Sequence, residues 1–205
     1  MRKFLLVLVV LTIFSFCAKA EAGYYDINDF IGYSIENSIT NYWYSDDVTA
    51  EETSDGSTTK GFLEFNLAEW YALNIDSSNI KSITLYSSWE LGNGVGIELY
   101  SMDGNDDGVI YKGSDFLYYS YWTAETYITD MLQIESGLDV TSVVLADIEN
   151  SNKSWSGFSL QASEFTLAQL SKDAAKLRIT YTPEPVSFLL FSIGIGFFGL
   201  RNKKQ

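Results

Sequence analysis

The sharpest pattern of chemistry-bearing side chains is the acidic hexapeptide Asp103-Gly-Asn-Asp-Asp-Gly108. Asp103, Asn105 and Asp107 alternate as the oxygen ligands do at the start of a calcium-binding loop, and Gly108 permits the bend that such a loop requires. The twelfth position, however, is Ser114 rather than a bidentate glutamate. A polar hairpin turn has the same composition. The hexapeptide therefore predicts either a structural Ca²⁺ site or a turn, and no other cofactor is expected.

Aromatic side chains are the second candidate for a functional role. Trp89, Trp122 and Trp155 could stack against sugar rings and form a ligand-binding platform. Tryptophan also fills the core between β-sheets, which is the alternative for each of them. In the segment 116–122, both alternating sets of positions are apolar or aromatic. This pattern indicates either burial on both faces or an exposed aromatic strip.

The composition excludes several classes of catalyst. The chain has no histidine, so Ser-His-Asp and Cys-His mechanisms and histidine-ligated metals are excluded. The single cysteine, Cys17, lies in a segment that we expect to be removed, which leaves no thiol and no disulfide. Two carboxylates can hydrolyse a glycosidic bond without histidine, but no acidic residue here has a recognisable catalytic context. We therefore expect no enzymatic activity, and a carboxylate-pair glycosidase is the remaining catalytic alternative.

The middle of the chain is strongly acidic. Residues 21–182 contain 7 basic and 26 acidic residues, so their formal charge is 7 − 26 = −19. Such a surface repels phosphate groups, and we expect neither nucleic acid nor anionic lipid headgroups as partners. The length of this region is sufficient for one domain.

The first twenty residues have the pattern of a cleavable export signal. Arg2 and Lys3 supply a positive start, residues 4–16 are almost entirely apolar, and Ala18 and Ala20 form the small-x-small site that signal peptidase cleaves. The apolar helix would be about 20 Å long, which is short for the hydrocarbon core of a bilayer. An uncleaved anchor is the alternative. Lipidation of the cysteine is disfavoured because a bulky phenylalanine precedes it.

The last 23 residues, 183–205, have a second pattern related to membranes. Pro183, Glu184 and Pro185 are followed by an uncharged run, residues 186–200, and by a basic tail that begins at Arg201. Pro183 cannot donate a ladder hydrogen bond and should end the preceding strand. The apolar run predicts a hydrophobic helix of about 22 Å, whose basic end would stay in the cytoplasm.

This C-terminal arrangement resembles the PEP-CTERM sorting signal of Gram-negative bacteria. In that family, a Pro-Glu-Pro motif, a hydrophobic helix and a short basic tail are recognised by an exosortase-type membrane transpeptidase. The resemblance implies that the tail anchors the chain transiently and is then removed near Pro183–Pro185. An ordinary tail anchor is the alternative. A Gram-positive sortase signal would need Leu-Pro-x-Thr-Gly, and a GPI signal should not end in basic residues.

The middle region, 21–182, is predicted to be all-β. Apolar and polar residues alternate along four segments, which indicates strands with one face towards a core and the other towards water. The inward positions are Leu63, Phe65 and Leu67; Ile83 and Leu85; Val95, Ile97 and Leu99; and Leu177, Ile179 and Tyr181. A short helix is plausible only around residues 164–175. We expect an antiparallel β-sandwich between an N-terminal signal helix and a C-terminal hydrophobic helix.

Several of these segments resemble the DNRLRE-type domains, which are jelly-roll sandwiches of secreted bacterial proteins related to carbohydrate-binding modules. The matching segments occur in the order found in that family: Gly61–Leu67, Ile80–Tyr86, Asp139–Thr141, Trp155–Leu160 and Leu177–Tyr181. The resemblance implies a jelly-roll-like fold and transfers no binding residues. Asn66 departs from the family pattern, which has aspartate there.

Together, these patterns predict an exported, noncatalytic protein of the cell surface or of an exopolysaccharide matrix. Its expected partners are signal peptidase, an exosortase-type transpeptidase and, where it binds one, an extracellular polysaccharide. A carbohydrate-binding module is the alternative function.

Overall fold

The computed structural model describes residues 22–37, 42–45, 47–54, 57–102, 108, 126–150, 152–163, 165–171 and 173–183. The chain divides into two units. One unit comprises residues 24–180, and the other comprises residues 1–23 and 181–205. The expected terminal helices fall on residues outside the described ranges.

The described residues form thirteen strands and two α-helices. The strands are β1 (Gly23–Ile27), β2 (Phe30–Asn37), β3 (Tyr42–Ser45), β4 (Val48–Glu52), β5 (Thr58–Asn66), β6 (Ile80–Tyr86), β7 (Trp89–Leu91), β8 (Ile97–Ser101), β9 (Thr126–Asp130), β10 (Leu138–Asp139), β11 (Trp155–Ala162), β12 (Leu167–Leu170) and β13 (Lys176–Tyr181). The helices are α1 (Ala68–Ala72) and α2 (Thr141–Glu149), and short 3₁₀ turns occupy Ser77–Asn79 and Met131–Gln133.

The strands form two sheets. The smaller sheet has the order β1-β13-β6-β10, and the larger has the order β7-β12-β4-β5-β11-β8-β9, with β2 added to β5 and β3 to β2. The strand pairs whose register is defined are antiparallel. Each sheet buries one apolar face, as expected of a sandwich-like all-β domain. The predicted fold class is therefore confirmed at this level.

The expected alternation is confirmed on most of the predicted strands. The inward residues Ile83 and Leu85 of β6 and Leu177 and Ile179 of β13 are completely buried. Two of the predicted inward positions are exceptions: Val95 lies in the turn before β8 and is 56% exposed, and Tyr181 at the end of β13 is only half-buried. The apolar side of β8 begins only at Ile97.

The larger sheet branches at β5. Along one edge, β5 pairs with β2, while its other edge is shared by β11 at residues 61–66 and β4 at residues 58–59. The two strands diverge at Gly61, where a Cβ atom would lie 3.1 Å from the backbone nitrogen and oxygen of Thr49. Glycine suits this close approach, because a side chain here would push the Thr49 backbone away by a few tenths of an ångström where β4 crosses the inner face of β5.

The helix expected around residues 164–175 is wrong. Residues 167–170 form β12, which pairs with β4 on one side and β7 on the other. Cross-strand burial of Ala168 and Leu170 outweighs the local helical pattern of this stretch. The longer helix lies instead at α2, whose first turn is held by Asp139: its carboxylate accepts hydrogen bonds from the Thr141 amide and hydroxyl, at 2.9 and 2.6 Å.

A charged group joins the first and last strands of the domain. The Arg178 guanidinium on β13 donates two hydrogen bonds of 2.7 Å to the Asp26 carboxylate on β1, and Lys176 Nζ lies 3.4 Å from the same carboxylate. The hydrogen bonds from Arg178 hold the pKa of Asp26 below its ordinary value, although partial burial acts in the opposite direction. The ionised form of Asp26 therefore stabilises the pairing of β1 with β13.

Replacing Asp26 with asparagine should lower the free energy of unfolding at neutral pH by about 1 kcal/mol, because the ion pair is partly exposed. The lowered pKa means that the native contribution is complete above the ordinary value of 3.8 and is lost as the pH falls through the lower native value. The stability difference between the two proteins, measured by chemical denaturation, should therefore narrow in acid. The control is Asp173→Asn, which changes an exposed aspartate. A difference in unfolding free energy that stays constant down to strong acid would contradict this role of Asp26, and so would an equal loss of unfolding free energy in the control.

Candidate binding surfaces

The predicted tryptophan platform does not form as one surface among the described residues. Trp89 lies on β7 and Trp155 on β11, and strands β12, β4 and β5 separate them in the sheet. Trp122 lies outside the described residues, as does the aromatic segment 116–122. The ring of Trp155 packs against Gly108, where any Cβ atom would overlap it, and Gly108 has a φ of 74°. Trp155 is half-buried in this contact and is not among the residues of the buried core.

The predicted calcium ligands Asp103, Asn105 and Asp107 lie outside the described residues. The hexapeptide is described only at Gly108, whose backbone N–H donates a hydrogen bond of 2.8 Å to Oε2 of Glu64. Within the described ranges, no group of three or more acidic side chains could hold a metal ion. The Ca²⁺ site therefore stays a prediction.

Glu64 is an acidic residue that is almost completely buried in the larger sheet. The alternation along β5 predicted that it faces water, but only 1% of its surface is exposed. Its Oε1 accepts a hydrogen bond of 2.8 Å from the Tyr33 hydroxyl, and Tyr33 in turn stacks on Phe62 with ring centroids 4.8 Å apart. The prediction failed because β5 is covered on both faces. The alternation of apolar and polar residues shows which side chains are polar, but it does not show whether the outer face of a strand is covered.

Glu64 and Glu98 both carry carboxyl groups on this face, where Asp130 of β9 also lies directly opposite Glu98, and the distance between Glu64 and Glu98 can be judged against that of a glycosidase pair. The register places Glu64 opposite Gly157 on β11, and Glu98 opposite Gln161 on the same strand. Glu98 is therefore two strands across and four residues along from Glu64, a Cα separation of about 16 Å. Glycosidase carboxyl groups lie roughly 5–10 Å apart. These two residues do not form such a pair.

An exposed aromatic group lies at the β9 edge of the same sheet. Tyr127 is 53% exposed, and its ring meets that of Tyr100 edge-on, with centroids 5.6 Å apart. The Tyr100 hydroxyl donates to Glu98, and the Tyr127 hydroxyl donates to Asp130 at 3.3 Å. Desolvation, followed by the charge of Asp130, raises the pKa of Tyr127. The phenol thus stays protonated as a hydrogen-bond donor.

Tyr127 also forms one wall of a shallow cleft between β9 and the start of α2. The cleft has a volume of about 410 Å³ and is lined by Tyr127, Ile128, Asp139, Thr141, Ser142 and Val143. The hydrogen bonds from Thr141 lower the pKa of Asp139, so the cleft presents an ionised acceptor beside hydroxyl groups and one aromatic ring. Such a lining suits a hydroxyl-rich ligand. The sequence analysis named Asp139–Thr141 only as part of a fold resemblance, and it could not connect that segment with Tyr127, because the sequence does not show that β9 and α2 are neighbours.

Most of the predicted sorting and cleavage residues lie outside the described residues: Ala18, Ala20, Glu184, Pro185 and Arg201. Pro183 is the last described residue, two positions after the end of β13 at Tyr181. Across the described ranges, no helix combines the length and apolar character needed to cross a bilayer. The two segments predicted to form apolar helices, residues 4–16 and 186–200, lie outside the described residues.

Replacing Glu64 with glutamine should destabilise the domain by about 1–3 kcal/mol, because one buried acceptor becomes a donor that faces other donors. Replacing Tyr33 with phenylalanine should cost less, and the double variant should lose less than the sum of the single losses. Urea denaturation measures all three, with Glu51→Gln on the half-buried outer side of β4 as the matched control. Strict additivity would show that the two side chains do not interact.

No family model matches the chain, and no curated protein matches it at a significant level.

Proposed function

We propose that this protein is an exported, noncatalytic component of the cell surface or of an extracellular polysaccharide matrix, sorted by its C-terminal segment. The observation that carries the proposal is the succession of Pro183-Glu184-Pro185, fifteen uncharged residues and a basic tail, in a chain that also begins with an export-type signal. In the proposal, signal peptidase cleaves after Ala20. An exosortase-type transpeptidase then acts near the Pro-Glu-Pro motif.

The end of the fold supports this assignment. β13 is a central strand of the smaller sheet, and it ends at Tyr181. The sheet is therefore complete before the motif begins, so cleavage at residues 183–185 would remove no described strand. The acidic middle region, with 7 basic and 26 acidic residues, also suits an exported domain that must stay soluble and apart from anionic membranes.

The proposal also includes a more specific fold for the β-sandwich. We infer a jelly-roll-like sandwich related to the DNRLRE-type domains, because the motifs of that resemblance fall on ordered elements. Gly61–Leu67 covers most of β5, Ile80–Tyr86 is β6, and Trp155–Leu160 lies on β11. Asn66 has a local reason to differ from aspartate: its amide donates to the Asp29 carboxylate at 2.8 Å, where a second carboxylate would be repelled.

Carbohydrate binding is the second candidate function, and the cleft beside Tyr127 is the observation that favours it. The exposed ring could stack on a sugar, while Asp139 accepts hydrogen bonds from its hydroxyl groups. The absence of basic side chains from the lining of this cleft favours a neutral sugar.

Replacing Pro183, Glu184 and Pro185 together with alanine should prevent removal of the C-terminal tail in the producing bacterium. Intact-mass spectrometry of the secreted and membrane fractions measures this directly. The natural chain should lack residues 186–205, and the triple variant should retain them and stay with the membrane. Thr182→Ala is the adjacent control and should be processed normally. A natural chain that keeps its tail, or a triple variant that loses it, would rule out the sorting proposal.

On a glycan array, the Tyr127→Ala variant should lose about tenfold or more of any neutral-glycan affinity that the natural chain shows. The loss should follow from the missing stacking surface, and Tyr127→Phe should retain most of the affinity. Binding that survives Tyr127→Ala would exclude this cleft as the site.

A further inference from the structure

The outer face of the smaller sheet has a feature that the proposed function does not use. Arg178 lies on β13, between β1 and β6. Its guanidinium carbon is 4.7 Å from the ring centroid of Tyr24 on β1 and 5.5 Å from that of Tyr86 on β6. Lys176 Nζ lies 5.6 Å from the Tyr86 ring. Two tyrosines thus flank two cations on one face.

We propose that this face binds carboxylated polysaccharide, with the exposed Tyr24 ring contacting a sugar ring, with Lys176 and Arg178 pairing with a sugar carboxylate, and with Tyr86, which packs against Gly137, supporting the two cations. This inference rests on the proposed matrix role, because that role is what would bring the domain into contact with a polysaccharide. The binding surface itself is argued only from the geometry of this sheet.

The local charge is the first argument. Among the described residues, Asp26 is the acid that pairs with both Lys176 and Arg178. These three residues together have a formal charge of +1. Residues 21–182, to which they belong, have a total formal charge of 7 − 26 = −19. Arg178 uses Nε and Nη2 towards Asp26. Its Nη1 has no hydrogen-bond partner in the described part of the chain, and a guanidinium suits a second carboxylate in the same plane.

The aromatic spacing is the second argument. The two Arg178 distances place the tyrosine centroids at most about 10 Å apart, the sum of the two. Tyr24 and Tyr86 lie on strands two spacings apart in the order β1-β13-β6, so their rings bound the cations on opposite sides. Tyr24 is 66% exposed, so its ring is available to a ligand. Stacked tyrosine and arginine present a planar surface that loses little entropy on binding, because Asp26 already holds the arginine.

This face differs from the Tyr127 cleft in the ligand that it selects. The cleft has a carboxylate and no basic side chain in its lining. The Tyr24–Arg178–Tyr86 face has paired cations. A carboxylated sugar should therefore choose the smaller sheet, and a neutral one should not.

The test is calorimetric titration of the full-length chain, kept in a neutral detergent, with oligomers of galacturonate, mannuronate and glucuronate. Methyl-esterified galacturonate is the matched ligand, because it keeps the rings and removes the charge. We expect at least one acidic oligomer to bind, the ester to bind at least tenfold more weakly, and moderate salt to weaken binding. If none of the three binds, or if the ester binds equally well, the proposal is wrong. A negative result in this titration would not bear on tail processing, which is measured separately by mass spectrometry.

The variants locate the site. Tyr24→Ala should weaken binding about tenfold, Tyr24→Phe should retain it, and Lys176→Gln should weaken it several-fold. Tyr24 is 66% exposed, so the thermal unfolding temperature of its variants should stay close to that of the natural chain. Phe165→Ala, which removes a 70% exposed ring between β11 and β12 of the larger sheet, is the matched control and should bind normally. Loss of binding in Phe165→Ala, or no loss in Tyr24→Ala, would overturn the assignment to this face.

Discussion

Strand β5 has no face open to water between residues 61 and 65, and the rest of the larger sheet is arranged around that constraint. Leu63 and Phe65 fill the inner side, and Phe62 and Glu64 fill the outer side, all with at most 1% exposure. A strand buried on both faces must satisfy any polar group internally. Tyr33 and the Gly108 amide meet this requirement for Glu64. The position of Gly108, and the packing of Trp155 on it, follow from the same requirement.

The branch at Gly61 has an architectural consequence. Because β11 and β4 share one edge of β5, the larger sheet cannot continue flat past this point. β4 crosses the inner face, and β12 and β7 follow it. A residue with a side chain at position 61 would press on the backbone of Thr49. One glycine therefore allows nine paired strands to curl around a core rather than extend as an open sheet.

The sequence predicted the elements whose pattern depends only on near neighbours. The alternation of Ile83 with Leu85, and of Leu177 with Ile179, is a property of each strand alone and is confirmed. Prediction from the sequence failed where contacts with distant parts of the chain determine the secondary structure or the burial of a residue. Residues 167–170 become a strand because β4 and β7 lie on either side of them, and Glu64 is buried because another segment covers it. The Tyr24, Arg178 and Tyr86 group was missed for the same reason, since its members are about 60 to 150 positions apart and meet only through the order β1-β13-β6.

The position of β13 affects how firmly the end of the fold is held. It is flanked by β1 and β6, and it is the last strand before Pro183. Separating β13 from the described sheet would break hydrogen bonds on both of its edges, whereas the end strand β1 is held on one edge only. The Arg178–Asp26 pair lies across the edge that β13 shares with β1. Fraying of the fold from the end of its last strand is therefore opposed by two neighbouring strands rather than one.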